Sequence, residues 1–317
     1  MKLSHTTLFL IAIVASACES LITDIPADKL PRTESKLVIQ SFISPQATSI
    51  NVVVTESVPL FSETTSKGGV VRNALVKISD GTSEVTIPYD TASALYSIDS
   101  AVFPIKASKT YSLFVSDGSR VATAMCTVPA KQVLASSFKI DTSFSRNLFE
   151  QDTSLTLQMT WTDIAADTNY YRVKASVDLE YSVAEGNSAA TFKEVRTKGR
   201  FAFNWDETIG RNDYQSDGNL DGAPLTSPIG RTILPNVIAY DFGSGNSFTV
   251  YPKAKIALLI MEVYNTDVHY FKYHRSLEMR GNSDNPFIEP TLIYTNVSGG
   301  LGCFAAYNIG QLNYRPN

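Results

Sequence analysis

The sequence has few of the residues that build metal and redox sites. Its 317 residues include three cysteines, three histidines and two tryptophans. His269 and His274 lie five residues apart, which on a helix separates them by about 140° around the axis. Histidines that share a metal ion on a helix are four residues apart instead. We therefore predict that one of these histidines packs and the other is solvated, and that they do not share a metal ion.

The chain also has a small net charge and few charged residues. Charged residues make up 18% of the chain, the formal net charge is −4, and no basic run occurs. Such a chain gains nothing from counterion release at phosphates, so nucleic acid is not an expected partner. The sequence also has no Gly-x-Ser-x-Gly elbow, no P-loop and no recognisable nucleophile–base pair. We predict that the protein is not an enzyme; the alternative is a cell-surface hydrolase acting on glycan or peptide.

Long apolar runs are absent too. Residues 8–15 are apolar, but a membrane-spanning helix needs about 20 such residues. The run follows Lys2 and ends in small residues, which is the pattern of a secretory signal peptide over residues 1–17. Residues 15–18, Ala-Ser-Ala-Cys, resemble the lipobox of bacterial lipoproteins, so Cys18 is the expected lipidation site. The alternative is an ordinary cleavage near Ala17, with Cys18 unmodified.

The chain after Cys18 begins with a segment that has no periodicity. Residues 18–35 contain two prolines and scattered charge, which predicts a flexible lipidated tether. If Cys18 carries acyl chains, they anchor the protein to the membrane, because each buried methylene contributes about 0.8 kcal/mol.

Residues 36–130 contain many short stretches that are rich in β-branched residues or that alternate between apolar and polar residues. Asp80-Gly81 and Asp117-Gly118 mark two hairpin turns, because both residue types tolerate a positive φ. About seven short strands joined by such turns are typical of an immunoglobulin-like β-sandwich. We predict that this sandwich forms the first domain and ends near residue 130.

Residues 131–317 are predicted to form a larger antiparallel β domain that carries one short helix. Apolar residues alternate with polar ones over residues 155–161 and again over residues 171–181, as in half-buried strands. Residues 256–264 are apolar on both parities, which predicts a central strand covered on both faces. Residues 291–295 and 303–307 are predicted to be closing strands.

The predicted helix follows Thr266, which we assign as its N-cap. Tyr270, Tyr273 and Leu277 fall on one helical stripe, and the helix should end before the Gly/Asn-rich segment that begins at residue 281. Tyrosines on this stripe and at Tyr170 could line a sugar or peptide site, but tyrosines at such spacing are more often core.

One short motif has metal-site chemistry. Asp217, Asn219 and Asp221 place oxygens at alternate positions, and a glycine follows, as in calcium loops. Pro228 stands where an EF-hand has its bidentate glutamate. A polar surface turn is therefore favoured, with calcium as the alternative, and no other cofactor is expected.

The two remaining cysteines, Cys126 and Cys303, could form a disulfide in an exported protein. Because they fall in different predicted domains, free thiols are favoured, and the pairing is left open.

Several stretches together resemble a known family. Residues 36–45, 73–81, 285–290 and 293–304, with the lipobox, are similar to Bacteroidota lipoproteins grouped as domain of unknown function 4249. The resemblance implies an envelope lipoprotein encoded beside TonB-dependent outer-membrane receptors, with no known reaction and no catalytic residue to transfer. We therefore expect a non-catalytic binding or accessory component of such an uptake system, anchored by lipid in the outer membrane. Whether it faces the periplasm or the cell surface is left open. We expect its receptor contact in the loops of residues 206–247.

Overall fold

The computed structural model describes residues 34–58, 68–146, 153–186, 191–206, 212–218, 220–241, 243, 247–281 and 292–316. These residues are mainly β and include one α-helix, which confirms the predicted fold class. The signal peptide, Cys18, most of the tether and Asn219 lie outside the described residues. Lys36–Glu56 and Val70–Asn317 belong to one unit by contact clustering. The domain boundary near residue 130 stays a prediction.

The described residues of the first third of the chain form eight strands, where about seven were predicted. They are β1 (Leu37–Ile43), β2 (Ser49–Glu56), β3 (Leu75–Ser79), β4 (Glu84–Thr86), β5 (Tyr89–Asp90), β6 (Leu95–Asp99), β7 (Thr110–Ser116) and β8 (Val121–Thr127). Strands β4, β3, β7 and β8 form one antiparallel sheet. Gly81 and Gly118 adopt φ angles of 84° and 93° between its strands, as the two predicted turns require.

The rest of the chain forms longer strands and the helix. They are β9 (Lys139–Arg146), β10 (Thr153–Thr162), β11 (Tyr170–Glu185), β12 (Lys193–Ala202), β13 (Asn204–Asp206), β14 (Tyr214–Ser216), β15 (Pro224–Thr226), β16 (Ile229–Ile233), β17 (Ile238–Asp241), β18 (Ser247–Val250), β19 (Lys255–Thr266), α1 (Val268–Gly281) and β20 (Leu301–Tyr314). Strands β13, β16, β10 and β15 form a sheet in that order, with β9 beside β10. Strands β17 and β18 pair separately.

A nine-stranded sheet joins the two ends of the chain. Its order is β12-β11-β19-β20-β1-β2-β6-β5, and β14 also pairs with β11. Strand β19 lies between β11 and β20, which confirms the central position predicted for residues 256–264. Strands β1 and β20 run parallel, with Ile39 opposite Gly302. This parallel pair brings the last strand beside the first.

Two buried clusters lie against this sheet. The first is formed by β1, β2 and β6 together with β3, β7 and β8, and it also contains Phe304 and Ala306 of β20. The second contains the predicted alternating residues of β10 and β11 together with the inner face of β19. Each cluster draws side chains from two sheets, which is the packing expected of a β-sandwich.

Helix α1 covers part of the opposite face of the sheet. Tyr270 and Tyr273 are buried with Cys303 and Ala305 of β20, whereas Leu277 is 37% exposed. The predicted N-cap was wrong by one residue. Thr266 belongs to β19 and donates to the Tyr170 carbonyl, while Asp267 Oδ1 accepts the Tyr270 N–H at 2.7 Å. The β-strand therefore extends one residue further than the helix pattern indicated.

The predicted strand over residues 291–295 was also wrong. Residue 291 is outside the described part, and residues 292–297 form no strand. The Asn296 side chain holds this segment instead: Nδ2 donates to the Met125 and Phe304 carbonyls, and Oδ1 accepts the Phe304 N–H. A side-chain amide thus provides the hydrogen bonds that a strand ladder would have provided.

Cys126 and Cys303 are both buried and both free thiols. Burial raises the pKa of each thiol, so neither is a reactive thiolate.

Candidate functional site

A groove of about 760 Å³ lies beside the segment that follows β8. Its lining includes Ala107, Ala130, Leu134 and Ile164, and Leu134 is 66% exposed. Concave sites of this size, lined mostly by apolar side chains with a few polar groups, are typical of ligand binding. We define this cavity, with the residues that line it, as the groove.

The wall of the groove is the connecting segment 129–133, which is fixed by amide side chains. Asn308 Nδ2 donates to the Pro129 carbonyl at 3.0 Å, and Asn265 Nδ2 donates to the Lys131 carbonyl at 2.9 Å. Gly310 lies so close to the segment that an added Cβ would be 2.0 Å from the Val133 carbonyl oxygen. This wall is therefore formed by the fold itself, without a ligand.

The polar groups at the base of the groove are already paired. Gln46 Nε2 donates to Asn308 Oδ1 at 2.8 Å, and Gln46 Oε1 accepts the Ile309 N–H at 3.1 Å. Ser137 donates its hydroxyl proton to the Leu134 carbonyl at 2.8 Å. The base is thus a structural network, and it leaves the apolar lining to contact a ligand.

The opposite side of the groove is the turn of residues 162–169, and Asp163 fixes it. Its Oδ1 accepts the Tyr171 hydroxyl at 2.6 Å, and its Oδ2 accepts the Gly222 N–H at 2.8 Å. Burial, followed by the hydrogen bond to Asp163, raises the pKa of Tyr171 far above its usual range. The pair therefore acts as a buried positioning contact.

The predicted calcium residues lie against the same turn. Asp217 Oδ2 accepts the Asn169 N–H at 2.9 Å, and Asp221 Oδ1 accepts the Ala166 N–H at 2.7 Å. Asn219 is outside the described residues. Within the part of the chain that is described, no three His, Cys, Asp or Glu side chains are grouped so that they could hold a metal ion. These two carboxylates accept hydrogen bonds from the turn that borders the groove.

Calcium binding here stays a prediction, and one atom makes it worth testing. Asp217 Oδ1 is buried and has no hydrogen-bond partner among the described residues. If calcium binds, millimolar Ca²⁺ raises the melting temperature by mass action. The Asp217→Asn/Asp221→Asn double variant keeps acceptor oxygens but loses the charge, so it should not respond. A wild-type melting curve unchanged by millimolar Ca²⁺ would contradict calcium binding.

A second, more polar cavity of about 290 Å³ adjoins the groove. The two cavities share Ala130, Lys131 and Ile164. Asp167 and Asp267 also line the second cavity. Asp267 Oδ1 caps α1, and its Oδ2 accepts the Ala306 N–H at 3.0 Å. Burial raises the pKa of the Asp267 carboxyl to about 7, although its backbone hydrogen bonds oppose the shift.

This pKa predicts a pH-dependent contribution to stability. Between about pH 4 and pH 7 the unfolded carboxyl is ionised, while the folded one still holds its proton. The Asp267 contribution is therefore fully present below pH 4 and is lost as the pH rises to 7. We expect the difference in unfolding free energy between the wild type and Asp267→Asn to be largest near pH 4 and to shrink toward pH 7.

Denaturant unfolding of the wild type and of Asp267→Asn from pH 4 to pH 8 measures this difference. Titratable groups elsewhere affect both proteins equally, so their contributions cancel when the two free energies are subtracted. His269 lies close to Asp267, so the same difference is measured in a His269→Gln background. A difference that is constant across this range would contradict the assignment.

One histidine packs against other side chains, as predicted, and the other is partly buried and not fully solvated. His274 packs among the rings of Phe42, Tyr214 and Tyr270, and burial lowers its pKa to about 3. His269 is only partly buried, and its Nδ1 lies 2.7 Å from the Tyr294 hydroxyl. Neither histidine lines the groove or the second cavity.

The polar side chains that line the two cavities are carboxylates, amides, hydroxyls and the ammonium group of Lys131. No histidine or cysteine lines either cavity in the described part of the chain, and the Ser137 hydroxyl is bonded to a carbonyl. The Ser137 hydroxyl therefore donates to a carbonyl and not to a base that could activate it.

Comparison with protein families gives one match. A family described as a domain of unknown function, DUF4249, matches residues 21–313. The chain belongs to the DUF4249 family. No curated protein matches, and no solved structure matches.

The DUF4249 match extends from the predicted tether into β20, so it includes every element that builds the groove. Sequence analysis missed the groove itself. The chain near residue 130 was assigned only as the end of the first domain. The available signal was the pair Asn265 and Asn308, which are polar residues within the mainly apolar strands β19 and β20. Their side chains hold the groove wall.

Proposed function

We propose that this DUF4249 protein is a non-catalytic binding or accessory lipoprotein of the outer membrane, serving a TonB-dependent uptake system. The observation that supports binding is the groove: it is apolar, and its wall and base are fixed by the protein's own hydrogen bonds. A preformed site loses less entropy on binding than one that must first be ordered. The membrane location and the receptor partner rest on the lipobox and on the family resemblance.

The expected receptor contact also adjoins this site. Asp217, Asp221 and Gly222, within the 206–247 region, form hydrogen bonds with the turn that borders the groove. A ligand held in the groove would therefore lie beside the expected contact surface. A tethered protein reaches a membrane partner at a local concentration that can approach the millimolar range, so a weak contact suffices.

Membrane attachment through Cys18 is tested by substitution. No described helix is long and apolar enough to cross a bilayer. We expect Cys18→Ser to abolish labelling with a radioactive fatty acid and to release the chain from the membrane fraction, because the acyl chains are then absent. A variant that stays with membranes through high salt and carbonate washes would contradict lipid anchoring.

The binding role is tested by photocrosslinking in intact cells. A benzophenone side chain at Leu134, 66% exposed in the groove, should capture a ligand or an outer-membrane receptor. The same group at Val102 is the matched control, because Val102 is 64% exposed and does not line the groove. Equal crosslinking at both positions, or none at either, would contradict a binding role for the groove.

A further inference from the structure

The two adjoining cavities differ in chemistry, and the difference indicates the class of ligand. The groove is about 760 Å³ with an apolar lining, and the second cavity is about 290 Å³ with polar and acidic residues. Together they have the volume of a site for a ligand with distinct apolar and polar ends. A purely apolar ligand would leave the second cavity without complementary contacts.

Two of the three charged groups at the second cavity are available for a ligand, whereas the third, Asp267, already accepts backbone N–H groups at both of its oxygens. Asp167 and Lys131 are both exposed, and neither takes part in an ion pair within the described chain. Lys131 stands where the two cavities meet, since it lines both. Asp167 lines the second cavity and not the groove, and Asp267 lines the second cavity with it. A ligand that crosses from one cavity to the other therefore meets first a hydrogen-bond donor and then a carboxylate.

A peptide amino terminus matches this order of groups. Its apolar side chains would occupy the groove beside Leu134 and Ile164, and a backbone carbonyl would accept a hydrogen bond from the Lys131 ammonium. The terminal ammonium would then lie beside the Asp167 carboxylate, and charge-assisted hydrogen bonds of this kind are the strong ones. An amine on a simple acyl chain would supply no carbonyl at the position of Lys131.

We propose that the two cavities form one binding site for the amino-terminal end of an apolar peptide, with the peptide ammonium held by Asp167. This inference rests on the proposed binding function and specifies its ligand. The rigid wall of residues 129–133, fixed by Asn265 and Asn308, would keep both cavities in register for one extended ligand.

The test uses the full-length chain purified in detergent and two probes, trileucine amide and its N-acetylated form. Isothermal titration calorimetry should show the free amine binding at least tenfold more tightly than the acetylated peptide. Asp167→Asn should remove that preference. Asp141→Asn, at an exposed aspartate on β9 away from both cavities, should leave it unchanged. Leu134→Glu should lower the affinity for both peptides at least tenfold.

Equal affinity of the wild type for both peptides, an unchanged preference in Asp167→Asn, or no binding of trileucine amide would each overturn the peptide assignment. Photocrosslinking at Leu134 separates this failure from failure of the proposed function. If the groove still captures a ligand or receptor in cells while the peptides do not bind, the binding function stands and the peptide assignment is wrong.

Discussion

Replacing Gly302 with alanine is expected to destabilise the protein by at least about 4 kcal/mol, a size that single substitutions rarely reach. Gly302 has a φ of 103° and pairs in β20 opposite Ile39 of β1. An added Cβ would lie 1.9 Å from the Ile39 carbonyl oxygen, so the two strands could not keep their present separation. The cost is thus steric as well as conformational.

Gly118→Ala separates these two costs. Gly118 has a φ of 93°, within ten degrees of Gly302, but an added Cβ there meets nothing within 4 Å. Gly118→Ala should therefore lower the free energy of unfolding by only about 1–2 kcal/mol, which is the cost of a left-handed conformation for a residue with a Cβ. Denaturant unfolding of both variants measures the difference. If the two lose similar stability, close approach of β1 and β20 at Gly302 is not a determinant of the fold.

The strand pattern is what the sequence predicts best, because alternation records which face of a strand is buried. The alternating residues Leu155, Leu157, Met159 and Trp161 are each 1% exposed. On the corresponding face of β11, Tyr171, Val173, Val177 and Leu179 are fully buried and Ala175 is 7% exposed. Turns with Asp-Gly are equally readable, since their positive φ is a local requirement.

The candidate site is less readable because it depends on contacts between distant parts of the chain. The groove joins residues near positions 45, 130, 164 and 308, and no periodic pattern links segments so far apart. Asp217 and Asp221 were identified as oxygen-rich, but their backbone partners at residues 166 and 169 could not be inferred. The sequence thus shows that these residues carry carboxylates, but it does not show which backbone groups the carboxylates bind.

The same limit applies to the predicted first domain. Residues 36–130 contain their own turns and strands, so the sequence indicates a self-contained sandwich. In the structure, β1 pairs with β20, and Val297, Phe304 and Ala306 complete the buried cluster of that region. Parallel pairing of the first and last strands leaves no local signal, because the residues that meet are more than 250 positions apart in the sequence.

A fragment of residues 36–130 is therefore expected not to fold cooperatively by itself. It would expose the edge of β1 that β20 covers, and it would lack Phe304, which is fully buried. Removing a buried phenylalanine side chain alone costs about 3–5 kcal/mol, which is comparable to the whole stability of a small domain. Near-ultraviolet circular dichroism and denaturant unfolding of the fragment measure the outcome.

The matched control is a fusion protein in which residues 292–307 follow the fragment through a flexible linker. It restores Val297, Phe304, Ala306 and the pairing of β1 with β20, so a cooperative unfolding transition should return. The same fusion with Phe304→Ala keeps the strand but removes the ring, and its transition should be weakened or lost. A fragment of residues 36–130 that folds cooperatively without the fusion would show that the boundary near residue 130 separates independent domains, with β20 only lying against the first.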